Sequence, residues 1–167
     1  GPEVEPDNTF LLKQEGIDVA VRGEAEEVFP AILDRLAGGE DLEDMPGTAI
    51  RTANGLGEFT PSAPVTFPLS RYPSPYLAGI LRIDSERSVY METARGCPCR
   101  CEFCYYSRGD AGVRRLDARA SAALCGQLKD AGARSLILLD PSFNQRPDFR
   151  PLLEALAVLN RDRALAI

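Results

Sequence analysis

The chain has no histidine among its 167 residues. That absence takes the imidazole away from any metal site, so a zinc centre here would have to be built without histidine. An excess of basic residues is also missing. Lys and Arg total 19 against 25 Asp and Glu, a net charge of −6, and a nucleic-acid footprint is not expected on such a chain. No apolar run approaches the ~20 residues of a membrane span. Neither a secretory leader nor an initiator methionine is present at the opening Gly1-Pro2-Glu3, and the expectation is a piece of a longer protein or a trimmed chain. What is there is enough to fold. A hydrophobic content of 44% builds a core and excludes wholesale disorder, and the length suits one ordinary domain or parts of two.

Cysteine is scarce but crowded. Four of the five, Cys97, Cys99, Cys101 and Cys104, fall in one octapeptide. A disulfide framework is disfavoured, because the chain is neither short nor cysteine-dense and bridges between such near neighbours would be strained. Cys97, Cys101 and Cys104 spell CxxxCxxC. Three thiolates at that spacing can hold three irons of a 4Fe-4S cluster and leave the fourth iron open for chemistry. A zinc site is the competing reading, since Cys99 supplies a fourth thiol and CxxC is common zinc spacing. Structural zinc sites, however, usually draw two ligands from each of two separated segments, and no second pair exists here. Cys125 sits on an apolar helical pattern and reads as a small buried hydrophobe.

The surroundings alternate strand and helix. Residues 9–15 form a candidate short helix and 17–21 (IDVAV) a buried strand. Arg22-Gly23-Glu24 turns into an amphipathic helix carrying Val28, Phe29, Ile32, Leu33 and Leu36, which Gly38-Gly39 ends. Met45-Pro46-Gly47 is a turn, and 48–52 with 56–60 around Asn54-Gly55 reads as a hairpin. A proline-rich stretch then keeps the chain extended. Residues 88–93 (SVYMET) are β-prone, Arg95-Gly96 turns the chain out, and the cysteine loop follows, itself followed by a helix. The cysteines thus lie at the carboxyl end of a strand, where parallel α/β folds place their chemistry. Leu116, Ala120, Leu124 and Leu128 mark a helix face, with Gly132 as its stop. Residues 136–139 form an apolar strand of the kind covered on both faces, ending at Asp140-Pro141. Asp148 is a candidate N-cap for a helix with Phe149, Leu152, Leu153 and Leu156 inward, and 163–167 open another strand. Arg114-Arg115 reads as a solvated face.

With Phe103 between the last two cysteines the motif is CxxxCxFC, and here the chain resembles the radical S-adenosylmethionine (SAM) superfamily. The resemblance implies that Cys97, Cys101 and Cys104 hold a 4Fe-4S cluster, that SAM chelates the open iron, and that Phe103 lies near the adenine. Cys99 occupies a variable position, and Tyr105 and Tyr106 read as packing and loop anchors. LLDPSFN, ending the next strand, resembles the family's loop for the SAM amino group, which makes Asp140 its candidate acceptor; a turn-forming Asp before Pro is the alternative.

The first residues resemble the end of the cobalamin-binding domain that precedes many such barrels. GPEV and Arg22-Gly23-Glu24 match its turns near the nucleotide tail, with Ala25 replacing the usual glycine, so Gly23 and Glu24 become candidate cobalamin contacts. PLSRYPSPYL resembles the strap that joins the two domains. The implied fold class is α/β. Residues 1–38 would end a Rossmann-like cobalamin domain, 39–86 connect, and 87–167 begin a radical SAM partial TIM barrel.

The implied activity is cleavage of SAM to methionine and a 5′-deoxyadenosyl radical. The resemblance leans to cobalamin carrying a methyl to an unactivated carbon of a small-molecule or peptide substrate, with cyclisation and ring rearrangement as the alternatives found in cobalamin-linked members, and a flavodoxin or ferredoxin would supply the electron. No side chain here can act as an imidazole ligand to cobalt, and no residue of the chain is assigned as catalytic. A low-potential cluster needs a reducing compartment, which points to the cytoplasm. The alternative is a non-catalytic zinc or iron–sulfur module.

Overall fold

A computed structural model describes residues 4, 7, 9–63, 65, 67–83, 88–99, 101–104, 106 and 112–167. The chain forms two compact units, Gly1–Thr66 and Phe67–Ile167.

In the first unit a single helical turn, α1 (Thr9–Leu12), precedes β1 (Val19–Val21). The chain leaves β1 through Gly23, whose φ of 73° is readily adopted only by glycine. The Phe29 N–H donates to the Ala25 carbonyl at 2.8 Å as α2 (Val28–Gly38) begins. Gly39, at φ 70°, closes the helix by donating back to the Arg35 and Leu36 carbonyls. Ile32 is buried with Leu42 and Met45, while Phe29, Leu33 and Leu36 are exposed. The apolar stripe of α2 is therefore wider than the core it covers.

The hairpin forms as β2 (Thr48–Thr52) and β3 (Gly55–Leu56), turning at Gly55 with φ 109°. Its second strand is shorter than the expected 56–60. Beyond Leu56 the chain keeps contact through Gly57 N–H to Ile50 (2.8 Å) and Thr60 N–H to Thr48 (2.9 Å). β1 pairs antiparallel with β2, Val19 opposite Ile50. The hairpin that the sequence assigned to the connector thus belongs with β1 and α2. A βαβα layer would give β1 a parallel neighbour; its neighbour among the described residues is antiparallel.

The second unit repeats strand and helix. β4 (Ser88–Met91) lies parallel to β7 (Ser135–Leu138), with Val89 opposite Leu136. Between them come β5 (Ala94–Arg95), β6 (Arg114–Arg115) and α3 (Ala118–Asp130), and α4 (Phe149–Leu159) follows β7. Ala166 adds a parallel bridge on the far side at Ser135, where the expected strand opens.

Val89, Met91 and Leu136 pack on Cys125 and Leu128 of α3 and on Leu152 and Leu156 of α4. The opposite face is open: Tyr90 is 55% exposed and Ile137 39%. The β7 run is apolar on both sides, but the helices cover one, which corrects the expectation of two covered faces. In α4 Leu153 is likewise exposed. The buried row of α3 is Ser121, Cys125 and Leu128, led by Asp117, whose side chain caps the helix at Ala120 N–H (2.7 Å). Among the described residues the helix after the cysteines is α3, and β6 comes before it. The Arg114-Arg115 pair forms β6 against β5 rather than a solvated face, and an Arg114 Nη1 donates to Phe67 carbonyl at 3.2 Å.

Cys125 is the buried hydrophobe that its pattern indicates, 1% exposed, with its Sγ 3.8 Å from Met91 sulfur. Burial pushes its thiol from 9.0 up to about 11. The folded state thus holds the proton more tightly than the unfolded chain. Its stabilisation is complete below pH 9.0 and is lost as pH rises towards 11. Denaturant unfolding across that window should show the native chain losing about 2 kcal/mol relative to Cys125→Ala; parallel curves would refute the assignment.

Candidate functional site

The carboxyl ends of β4 and β7 come together at Asp140. Its Oδ1 accepts from the Thr93 N–H (2.6 Å) and the Ala94 N–H (3.0 Å), and its Oδ2 accepts from the Thr93 hydroxyl. Asp140 is therefore neither a simple turn-former nor wholly open to a ligand. It staples the chain at the step from β4 into β5, two residues before the cysteine loop begins. A carboxylate offers about four lone-pair sites, so three filled leaves one, on Oδ2.

Arg146 completes the joint. It is only 6% exposed. Its Nη1 donates to the Thr93 hydroxyl at 3.1 Å, its Nη2 to the Leu116 carbonyl at 2.6 Å, and its Nε to Asp148 at 2.7 Å. Asp148 stands at the start of α4 without capping it, because its carboxylate is taken by Arg146; that hydrogen bond lowers the Asp148 pKa. Sequence reasoning missed Arg146 and Thr93. An arginine before proline in a polar loop reads as solvated, and only the Asp148 two positions on hints at a partner.

The cysteine loop leaves β5 through Gly96. Cys97 and Cys104 are half-buried, Cys101 is exposed, and Cys104 N–H donates to Cys101 carbonyl at 3.1 Å. The loop after β7 touches it twice: Ser142 Oγ lies 3.2 Å from Cys97 Sγ, and the Cys99 thiol donates to Gln145 at 3.4 Å. The Ser142 hydroxyl, helped by the Cys99 backbone, holds the Cys97 thiol below its ordinary range. That favours the thiolate, the form that binds metal. Among the described residues no three Cys, Asp or Glu side chains already stand as a cage, so the thiols would converge as metal binds.

Phe103, 92% exposed, projects from the same loop. The crevice lined by Gly96, Asp140, Ser142 and Arg146 has about 10 Å³ of free space, room for one water, and is a packed joint rather than a nucleoside pocket.

The structure thus brings Cys97, Cys101, Cys104, Phe103 and Asp140 to one end of the parallel strands. Gly23 and Glu24 lie in the first unit, on the turn before α2, where the space a Cβ of residue 23 would enter is open. Gly1-Pro2-Glu3 and Tyr105 lie outside the described residues.

No family model matches the chain. Two characterised proteins do. The 2-(S-pantetheinyl)-carbapenam-3-carboxylate methyltransferase of Streptantibioticus cattleyicolor is 30% identical over 171 residues, 94% of this chain. The cobalamin-dependent radical SAM methyltransferase TokK of Streptomyces tokunonensis is 36% identical over 117 residues, 62% of this chain and 17% of its own length. The chain's relatives are cobalamin-dependent radical SAM methyltransferases.

Solved structures of such enzymes share the fold of this chain. The methyltransferase TsrM from Kitasatospora setae, with cobalamin and a [4Fe-4S] cluster bound, matches with a TM-score of 0.65 at 17% identity, over 90% of this chain and 32% of TsrM. OxsB with aqua-cobalamin and SAM bound matches with a TM-score of 0.61 at 19% identity, over 87% of this chain and 21% of OxsB. The chain spans about a quarter, 24%, of the length of the carbapenam methyltransferase. Among the described residues no helix is long and apolar enough to cross a membrane.

Proposed function

We propose that this chain carries the SAM-cleaving centre of a cobalamin-dependent radical SAM methyltransferase, with residues 1–38 closing a cobalamin domain, 39–86 connecting, its hairpin packed back on β1, and 87–167 opening a partial barrel. The observation that carries the reading is the CxxxCxFC loop, which leaves the short β5 just beyond the carboxyl end of parallel strand β4, beside the loop that follows its parallel neighbour β7. The donor set fits an iron–sulfur cluster: Cys97, Cys101 and Cys104 are free thiols, and Cys97 is biased towards thiolate. When bound, cluster and cobalamin supply the hard chemistry, reductive cleavage of SAM to the 5′-deoxyadenosyl radical and carriage of a methyl to an unactivated carbon.

The chain's own residues bind and orient. Exposed Phe103 offers a face to the adenine. The remaining lone pair of Asp140 Oδ2 can take the SAM ammonium as a charge-assisted hydrogen bond. The exposed side of β4 and β7, bearing Tyr90 and Ile137, offers an apolar wall. Gly23, with open space in place of a side chain, permits close approach of a cobalamin tail, and Glu24 stands beside it. The substrate would be a small molecule or peptide, and the electron would come from a flavodoxin or ferredoxin.

The whole gene product, reconstituted anaerobically with iron and sulfide and given SAM and a reductant, should release 5′-deoxyadenosine. Stoichiometric zinc bound through all four loop thiols, with no iron–sulfur absorption, would replace this reading with the structural-module one.

A further inference from the structure

The Asp140 carboxylate is held by a hydroxyl whose direction is dictated from behind. Arginine is a donor only, so Arg146 Nη1, 3.1 Å from the Thr93 oxygen, claims one of that oxygen's lone pairs. The hydroxyl has a single proton, and with its oxygen committed to Arg146 that proton goes to Asp140 Oδ2. Arg146 is itself fixed from three sides: Asp148 on its own loop, Leu116 carbonyl before α3, and Ser121 Oγ on α3 at 3.5 Å. Thr93 is 1% exposed, so water cannot replace these partners.

We propose that Arg146, acting through Thr93, is a positioning residue that fixes the Asp140 carboxylate with its last Oδ2 lone pair turned to the ligand ammonium. The chain of bonds runs Asp148, Arg146, Thr93, Asp140, and it orders one carboxylate without touching the ligand. The inference rests on the SAM reading above, in which Asp140 meets the amino group.

The test compares two ligands on the reconstituted gene product by equilibrium binding. SAM carries the ammonium; 5′-deoxy-5′-methylthioadenosine has the nucleoside and sulfur but no amino acid portion. Thr93→Val keeps the volume and removes the hydroxyl, and Thr93→Ser restores it; Arg146→Lys keeps the charge but not the fork. Thr93→Val and Arg146→Lys should weaken SAM about tenfold, leave methylthioadenosine affinity and iron content unchanged, and Thr93→Ser should bind SAM like the parent. Equal weakening of both ligands, or loss of iron, would make the network a purely structural joint and overturn the proposal, as would unchanged SAM affinity in Thr93→Val. A parent protein with full iron that binds neither ligand would instead remove the SAM reading itself.

Discussion

Alanine at Cys97, Cys101 or Cys104 is expected to take the reconstituted protein from about four iron atoms per chain towards none, while alanine at Cys99 leaves the iron in place. The contrast follows from where the four thiols point. Cys97 is steered towards thiolate by Ser142, and Cys101 and Cys104 close one turn of the loop. Cys99 spends its proton on Gln145, on the loop after β7. A cluster with three cysteine ligands has no place for a fourth thiol, since its remaining iron must stay open to the ligand. A four-thiol zinc site gives the opposite ranking, because losing any one ligand, Cys99 included, leaves the metal short of its tetrahedron. Iron and acid-labile sulfide assays on the four single variants, run beside a zinc titration, decide it. Loss of iron in Cys99→Ala to the same degree as the others would sink the cluster assignment.

Much of the centre was legible in the order of residues, because its signals are local. The CxxxCxFC spacing, the β-prone run before it and the Gly96 exit need no knowledge of the fold, and β4, β7, α3 and α4 all form where period and punctuation place them. What escaped reading depends on distant partners. Arg146 is buried because Thr93, Leu116 and Asp148 converge on it, and those contacts span up to 53 positions. The place of Asp140 at a strand end is visible in the sequence, but the amides of Thr93 and Ala94 that fill its Oδ1 are not. In the same way the hairpin of 48–56 carries every local turn signal, yet only its pairing with β1 shows that it belongs to the first unit. Apolar stripes overstated burial on α2 and α4 for the converse reason. A helix can carry more apolar surface than its unit covers, as Leu33 and Leu153 show.

The second large effect is expected at Gly96, the residue before the first cysteine. Its φ is 94°, a conformation in which an L side chain is strained by about 1–2 kcal/mol. Space is the greater obstacle. A Cβ there would lie 2.2 Å from the Gly112 carbonyl oxygen and 3.2 Å from Val113 Cα. Both are backbone atoms, so no rotamer change relieves the overlap. Relief requires β5 and β6 to separate, which breaks the pairing of Ala94 with Arg115 and of Arg95 with Arg114. Gly96→Ala should therefore cost roughly 3–5 kcal/mol, at the severe end for one substitution. It should also slow iron uptake, because Cys97 enters the loop from the displaced strand. Gly126→Ala provides the matched control. That glycine lies inside α3, where a new Cβ meets only Leu159 Cδ1 at 3.4 Å, an ordinary contact, and alanine should add up to ~1 kcal/mol through helix propensity. Thermal melts of the metal-free protein separate the two. If Gly96→Ala melts with the parent, the close approach of β6 to the loop entrance is not what sets the cysteines in place. If it melts far below while Gly126→Ala melts above, the glycine is required by the geometry that delivers Cys97 to the site.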